Sequence, residues 1–143
     1  MIVDSNCAAL LVRLGDRYFG LPLASVERVL PMATVLPLPD TSDGLLGVLN
    51  LHGNVLPVID AHARLGVEKP SVAADHQLVL LRGARPFLMW VDEVQEVVAF
   101  SADTFSAVPT RHENPVISTV FRLGESIVPL LAPAALEPHG ATA

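Results

Sequence analysis

Apolar residues in this chain come in short runs, each stopped by glycine, proline or a charged turn. Ala8 to Leu14 is nearly continuous, Gly15-Asp16 supplies a turn, and Arg17 to Leu23 returns. Runs of this kind suit strands buried on both faces. Val26, Val29 and Leu30 fall at helical spacing and predict one helical turn ended by Pro31. Thr34 to Leu38 predicts another short strand, and Asp40 to Gly44 a loop. Leu45 to Leu51 and Val55 to Ile59 then predict a hairpin around His52-Gly53-Asn54. Asp60 is placed to cap a helical turn over Ala61 to Leu65, with Gly66 at its C-terminus.

The polar stretch Val67 to Asp75 is the best internal boundary, and after it the pattern restarts. His76 to Arg82 and Pro86 to Val91 flank a Gly83-Ala84 turn. Asp92 is placed to cap a second helical turn through Val94 and Val98. Ala99 to Asn114 is loop-like. Ile117 to Arg122 and Ser126 to Leu131 make the last hairpin, and Ala134 to Glu137 one helical turn. Gly15, Arg17, Phe19 and Val26 recur at one offset as Gly83, Arg85, Phe87 and Val94. Gly53, Pro57 and Leu65 recur later as Gly124, Pro129 and Leu136. The chain is therefore two copies of one unit, and such a repeat fixes architecture before any single residue does. Gly15, Gly53, Gly83 and Gly124 are expected at hairpin tips, some with positive φ. Many short strands with glycine and proline punctuation predict a mainly-β domain of barrel type.

Composition narrows this further. At 143 residues, with 51% hydrophobic and 17% charged residues, the chain has ample material for a core. A half of this size is marginal alone, so the two copies are expected to share that core. The net charge of −6, with Lys69 the only lysine, argues against nucleic acid and against an anionic membrane surface. Cys7 is the single cysteine, which excludes an internal disulfide and points to a cytoplasmic home. Met1 to Asn6 does not resemble a signal peptide, and no apolar run is long enough to span a bilayer.

Chemistry is sparse. No nucleophile elbow, phosphate-cradling loop or His-Glu-x-x-His motif occurs. His52, His62, His76, His112 and His139 lack metal-ligand spacing and are expected at surfaces or interfaces; no metal or cofactor is expected. Asp60 and Asp92 are explained by capping, and Trp90 by core packing. Pro57 and Pro129 are explained as edge-strand or corner residues.

Gly47-Val48-Leu49-Asn50-Leu51-His52-Gly53-Asn54-Val55-Leu56-Pro57-Val58-Ile59-Asp60 closely resembles the signature of the CheW-like family. That signature reads approximately G-V-x-N-L-R-G-x-a-a-P-a-a-D-L-R, where a is aliphatic. Leu14 to Pro22, Val26 to Val29, and Phe87 to Val94 resemble three further segments of the family pattern. The resemblance implies two small five-stranded, SH3-like β-barrels packed around a shared apolar core, with few short helices. It implies one domain over 8–136, with approximate subdomains 8–70 and 71–136 that could exchange strands, and flexible tails at 1–7 and 138–143. It also implies a non-enzymatic scaffold, cytoplasmic and recruited to membrane-associated receptor arrays. Its partners would be the regulatory domain of a CheA-type histidine kinase and the cytoplasmic tip of a methyl-accepting chemoreceptor. By motif, the receptor-side positions would be Val26, Gly47, His52, Leu88 and Val94, and the structural ones Asn50, Gly53, Pro57, Asp60 and Asp92.

The chain departs from the pattern at four places. His52 and His62 stand where the family has arginine, Leu88 where it has glycine, and Arg28 where it has glutamate. Histidine cannot reproduce the fork of a guanidinium. A rival function of another class is a small-molecule sensor holding an apolar ligand between the barrels.

Overall fold

The computed structural model describes residues 8–38, 44–99, 105–106 and 115–138. Cys7, His112, His139 and all of the two expected tails but Pro138 lie outside them. The strands are β1 (Ala8–Leu14), β2 (Arg17–Pro22), β3 (Val26–Pro31), β4 (Leu45–Leu51), β5 (Asn54–Ile59), β6 (Gln77–Leu81), β7 (Phe87–Val91), β8 (Glu93–Ala99), β9 (Phe105–Ser106), β10 (Ile117–Leu123) and β11 (Ser126–Leu131). The single described α-helix is α1 (Pro133–Leu136), and short 3-10 turns cover Leu23–Ser25 and Ala63–Leu65. The expectation of a mainly-β fold with two five-stranded sheets and almost no helix holds.

Neither sheet belongs to one half of the chain. The first runs β8-β1-β2-β11-β10, extended by the two-residue β9, and the second runs β3-β6-β7-β5-β4. Within each half the neighbours pair as antiparallel hairpins. The halves are stitched by two parallel pairings, Val58 with Leu88 and Leu130 with Gly20, and by two antiparallel ones, β1 with β8 and β3 with β6. Gly20 and Leu88 are equivalent in the repeat, as are Val58 and Leu130, so the two parallel crossings are copies of each other.

Packing follows the same symmetry. Alternate residues of β1, Leu10, Val12 and Leu14, join Val79, Leu81, Phe87, Met89 and Val91 of β6 and β7 in one buried cluster between the sheets. The intervening residues Ala9 and Leu11 pack with Phe121, Val128 and Leu130 inside the first sheet. Leu78 and Leu80 do the same with Leu49, Leu56, Val58, Leu88 and Trp90 inside the second. A strand with apolar residues on both faces is the physical requirement for such a layout. It explains the continuous apolar runs.

Two predicted helical turns are strands. Val26 to Leu30 lies in β3, and Val94 to Val98 in β8. Each carries an irregularity at the same repeat position: β3 pairs Val26 with Leu81 and Arg28 with Leu80, and β8 pairs Val94 with Val12 and Glu96 with Leu11. The extra residue, Glu27 or Gln95, is a β-bulge, which breaks the two-residue alternation. It returns Val26 and Val29 to the same cluster, mimicking helical spacing. Of the predicted strand over Thr34 to Leu38, only a bridge between Leu36 and Val48 is present.

The turn glycines divide. Gly15, Gly53 and Gly124 have positive φ, whereas Gly83 does not. Phe19 and Phe87 are 68 residues apart, but their ladder partners Val12 and Leu81 are 69 apart. One residue is lost between them, so Gly83 is not the structural counterpart of Gly15. Pro57 also differs from its expected place, because β5 is an interior strand. Val48, opposite Pro57, turns both its N–H and its carbonyl to Leu36, and the pairing with β7 begins only at Val58. Proline fits there because neither neighbour needs its missing N–H.

Ile59 sits in the inter-sheet cluster with 4% of its surface exposed. Ile59→Ala is expected to cost about 2–5 kcal/mol, measured by urea denaturation. A loss below about 0.5 kcal/mol, the scale of an ordinary surface substitution, would place the residue outside the core.

Candidate functional site

Two surface grooves lie at equivalent positions of the repeat. The larger, about 930 Å³, is floored by Leu56, Leu80 and Phe87 and rimmed by Val55, Arg85 and His52. The smaller, about 690 Å³, is floored by Leu11, Phe19 and Val128 and rimmed by Ile127, Arg17 and Tyr18. Val55 answers Ile127, Arg85 answers Arg17, and Phe87 answers Phe19. Val55 is 65% exposed and Ile127 59%, each an aliphatic side chain at the lip of an apolar trough. The polar rims differ. Glu27, Arg28 and Glu137 border the first groove, whereas Asp16 and Gln95 border the second. The space between the sheets is filled by the shared cluster.

The five receptor-side residues are not gathered in one place. His52 is exposed at the β4–β5 tip with φ 50° and lines the larger groove. Val26 and Val94 are half-buried against the inter-sheet cluster. Leu88 is fully buried within the second sheet and presents no surface. Its repeat counterpart Gly20 lies under Phe121, where a Cβ would meet the ring at 2.8 Å. The counterpart of Phe121 is Leu49, so one sheet packs a glycine beneath a ring and the other two leucines.

Gly47 has a structural reason to be glycine. A Cβ there would meet the Leu36 carbonyl oxygen at 2.3 Å. That carbonyl accepts the Val48 N–H at 2.9 Å, while Leu36 N–H donates to the Val48 carbonyl at 2.8 Å. Asn50 and Gly53 shape the adjoining tip, where the Gly53 N–H donates to Asn50 Oδ1 at 2.9 Å.

The residues expected to cap helices build a buried polar corner. Asp60 follows β5, and its Oδ1 accepts the His62 N–H at 2.9 Å and lies 2.6 Å from His62 Nδ1. His62 Nε2 lies 2.9 Å from Asp92 Oδ1, which also accepts the Gly15 N–H at 3.1 Å. No helix follows Asp92. The corner corrects the expectation of surface histidines: His62 is wholly buried and His76 nearly so. His76 Nδ1 accepts Trp90 Nε1–H at 3.0 Å and Ala73 N–H at 3.2 Å, which puts its proton on Nε2. Trp90 is buried as expected, with its ring 4.7 Å from that of His62. Lys69 Nζ stands 3.5 Å from Asp60 Oδ2.

Burial, the largest influence on His62, pulls its pKa down, but the hydrogen bonds and charges of Asp60 and Asp92 outweigh it and hold the pKa above the ordinary 6.5. Burial likewise pushes Asp60 up, but hydrogen bonds from His62 and the charges of His62 and Lys69 leave it below 3.8. The sequence signal for this corner was the spacing Asp60-x-His62 together with Asp92. Reading each residue singly as a cap or a surface group concealed it. Among the described residues, no group of three or more His, Cys, Asp or Glu side chains is arranged to hold a metal ion. No described helix is long and apolar enough to cross a membrane.

Residues 8–139 match the CheW-like domain model. The chain belongs to the CheW-like family. A probable chemotaxis protein CheW from Rhizobium etli is 30% identical over 98 residues, covering 68% of this chain and 63% of the relative. The protein PilI of Pseudomonas aeruginosa is 32% identical over 95 residues, covering 66% of this chain and 53% of PilI. The CheW-like chain thus aligns with between half and two thirds of the length of these relatives. Its fold matches the crystal structure of the scaffolding protein TtCheW from Thermoanaerobacter tengcongensis, with TM-score 0.84 at 20% identity over 94% of this chain and 90% of the other.

Gly47→Ala is expected to lower stability by about 1–3 kcal/mol, because the added methyl must displace a hydrogen-bonded carbonyl. Urea denaturation checks this, and an unchanged midpoint would show that the 32–38 segment does not press on β4.

Proposed function

We propose that this chain is a chemosensory adaptor that holds a CheA-type histidine kinase and a chemoreceptor tip together. The observation that carries the reading is family membership across nearly the whole described chain. The paired grooves support it, because an adaptor needs more than one docking surface and each sheet offers one. Each has an exposed aliphatic residue beside a deeper aromatic floor, the arrangement in which a partner's apolar anchor is best desolvated. Their different charged rims favour different partners. In this reading the grooves take kinase surfaces, and the receptor helices approach near His52 and the Val26 and Val94 strands. The protein would then work in the cytoplasm, recruited to receptor arrays. The relatives named CheW and PilI point to chemotaxis or pilus control as its setting.

The scaffold reading asks for no chemistry from the chain itself. Val26 and Val94 open β3 and lie in β8 at equivalent positions, so a receptor helix meeting both would touch both sheets. Gly47 serves that approach indirectly, by holding the Leu36 segment against β4. Leu88 would act only from within the core.

Titration calorimetry with the cognate kinase regulatory domain and a receptor-tip fragment tests the reading. Val55→Glu and Ile127→Glu are expected to weaken kinase binding about tenfold or more each, with thermal midpoints unchanged because both side chains are exposed. Failure of the wild-type chain to bind either partner at high micromolar concentration would contradict it.

A further inference from the structure

The three charged positions of the buried polar corner have uncharged counterparts. In the repeat, Asp60 corresponds to Ala132, His62 to Ala134 and Asp92 to Ala24. The same fold is therefore built at its other corner from three alanines. Charge is not a requirement of the architecture, and burying it is costly unless it is fully paired.

We propose that His62 is a pH-sensitive latch between the two sheets. As an imidazolium it ties the end of β5, in the second sheet, to the β1–β2 turn of the first through Asp92; on losing its proton it releases Asp92. The geometry requires the charged form. Both ring nitrogens face carboxylate oxygens, Nδ1 that of Asp60 at 2.6 Å and Nε2 that of Asp92 at 2.9 Å. A carboxylate can only accept, so both contacts are hydrogen bonds only when both nitrogens carry protons. A neutral ring must turn one lone pair toward an anion. The shorter contact, to Asp60 two residues away in the same loop, is the one retained. Asp92 is then left with the Gly15 N–H and a distant His76 Nε2, 3.9 Å from its other oxygen.

The other groups around the ring do not replace the lost proton. Lys69 is half exposed and reaches Asp60 rather than Asp92, and His76 Nδ1 is committed to Trp90 and Ala73. Deprotonation leaves Asp60 and Asp92 facing a single ammonium. The Asp92 backbone N–H still donates to the Arg13 carbonyl at 3.0 Å, so the corner loosens without coming apart. The latch is closed below the unfolded imidazole value near 6.5 and opens as pH rises through the higher folded value. Asp60, held below its ordinary range, stays charged throughout.

The experiment is nitrogen-15 NMR of the imidazoles in the wild-type chain, paired with amide hydrogen exchange. At about pH 6 both His62 nitrogens should be protonated. Through the His62 titration the exchange of the Gly15 amide, corrected for its intrinsic pH dependence, should rise about tenfold or more, the loss expected for one charge-assisted hydrogen bond. His62→Gln, neutral at every pH, should abolish that rise. A His62 ring with one bare nitrogen at about pH 6 would overturn the proposal. So would Gly15 protection that does not follow the titration. Both wild-type readouts decide the matter even if the glutamine variant folds poorly.

Discussion

The parallel crossings of β5 on β7 and β11 on β2 are the constraint on which everything else rests. Each takes a hairpin from one half of the chain and closes it against a hairpin from the other. Neither sheet can form from its own half, and one apolar face each of β1 and β6 is covered in the cluster between the sheets. The inter-sheet cluster is the result. A half this small could not bury enough surface alone. Exchange of strands converts two marginal units into one core.

The repeat extends to details that single residues hide. Bulges recur at Glu27 and Gln95, and register shifts recur at Leu46 and Ser118. The grooves recur on both sheets. Against that background the differences stand out as local choices. Glycine lies under Phe121 in one sheet, while Leu88 fills the same place in the other beside a smaller residue. One corner is alanine and the other a buried ion network. The symmetric parts build the fold, and the asymmetric parts distinguish its two ends.

Much of this was legible in the sequence. The hairpins, the two-copy order, the core role of Trp90 and the Gly66 helix end follow from periodicity and turn chemistry. The helical misreading of β3 has a physical cause. A bulge adds a residue to a strand, and Val26 and Val29 then share a face as they would on a helix. The Gly83 error came from extending one offset across a turn that is a residue shorter. The polar corner was hidden for a different reason. Asp60, His62 and Asp92 are brought together by the β5–β7 crossing, and no local spacing encodes a contact across thirty residues of chain. Leu88 shows the limit of motif mapping, since a position taken as a partner contact is fully buried.

If the shared core is what holds both sheets, they must be lost together. Trp90, the only tryptophan, reports on the second sheet, whereas far-UV circular dichroism reports on both. Equilibrium urea unfolding followed by the two signals should give one superimposable transition. A tryptophan transition separated from the loss of strand signal would mean that the sheets are independent units, and would contradict the account.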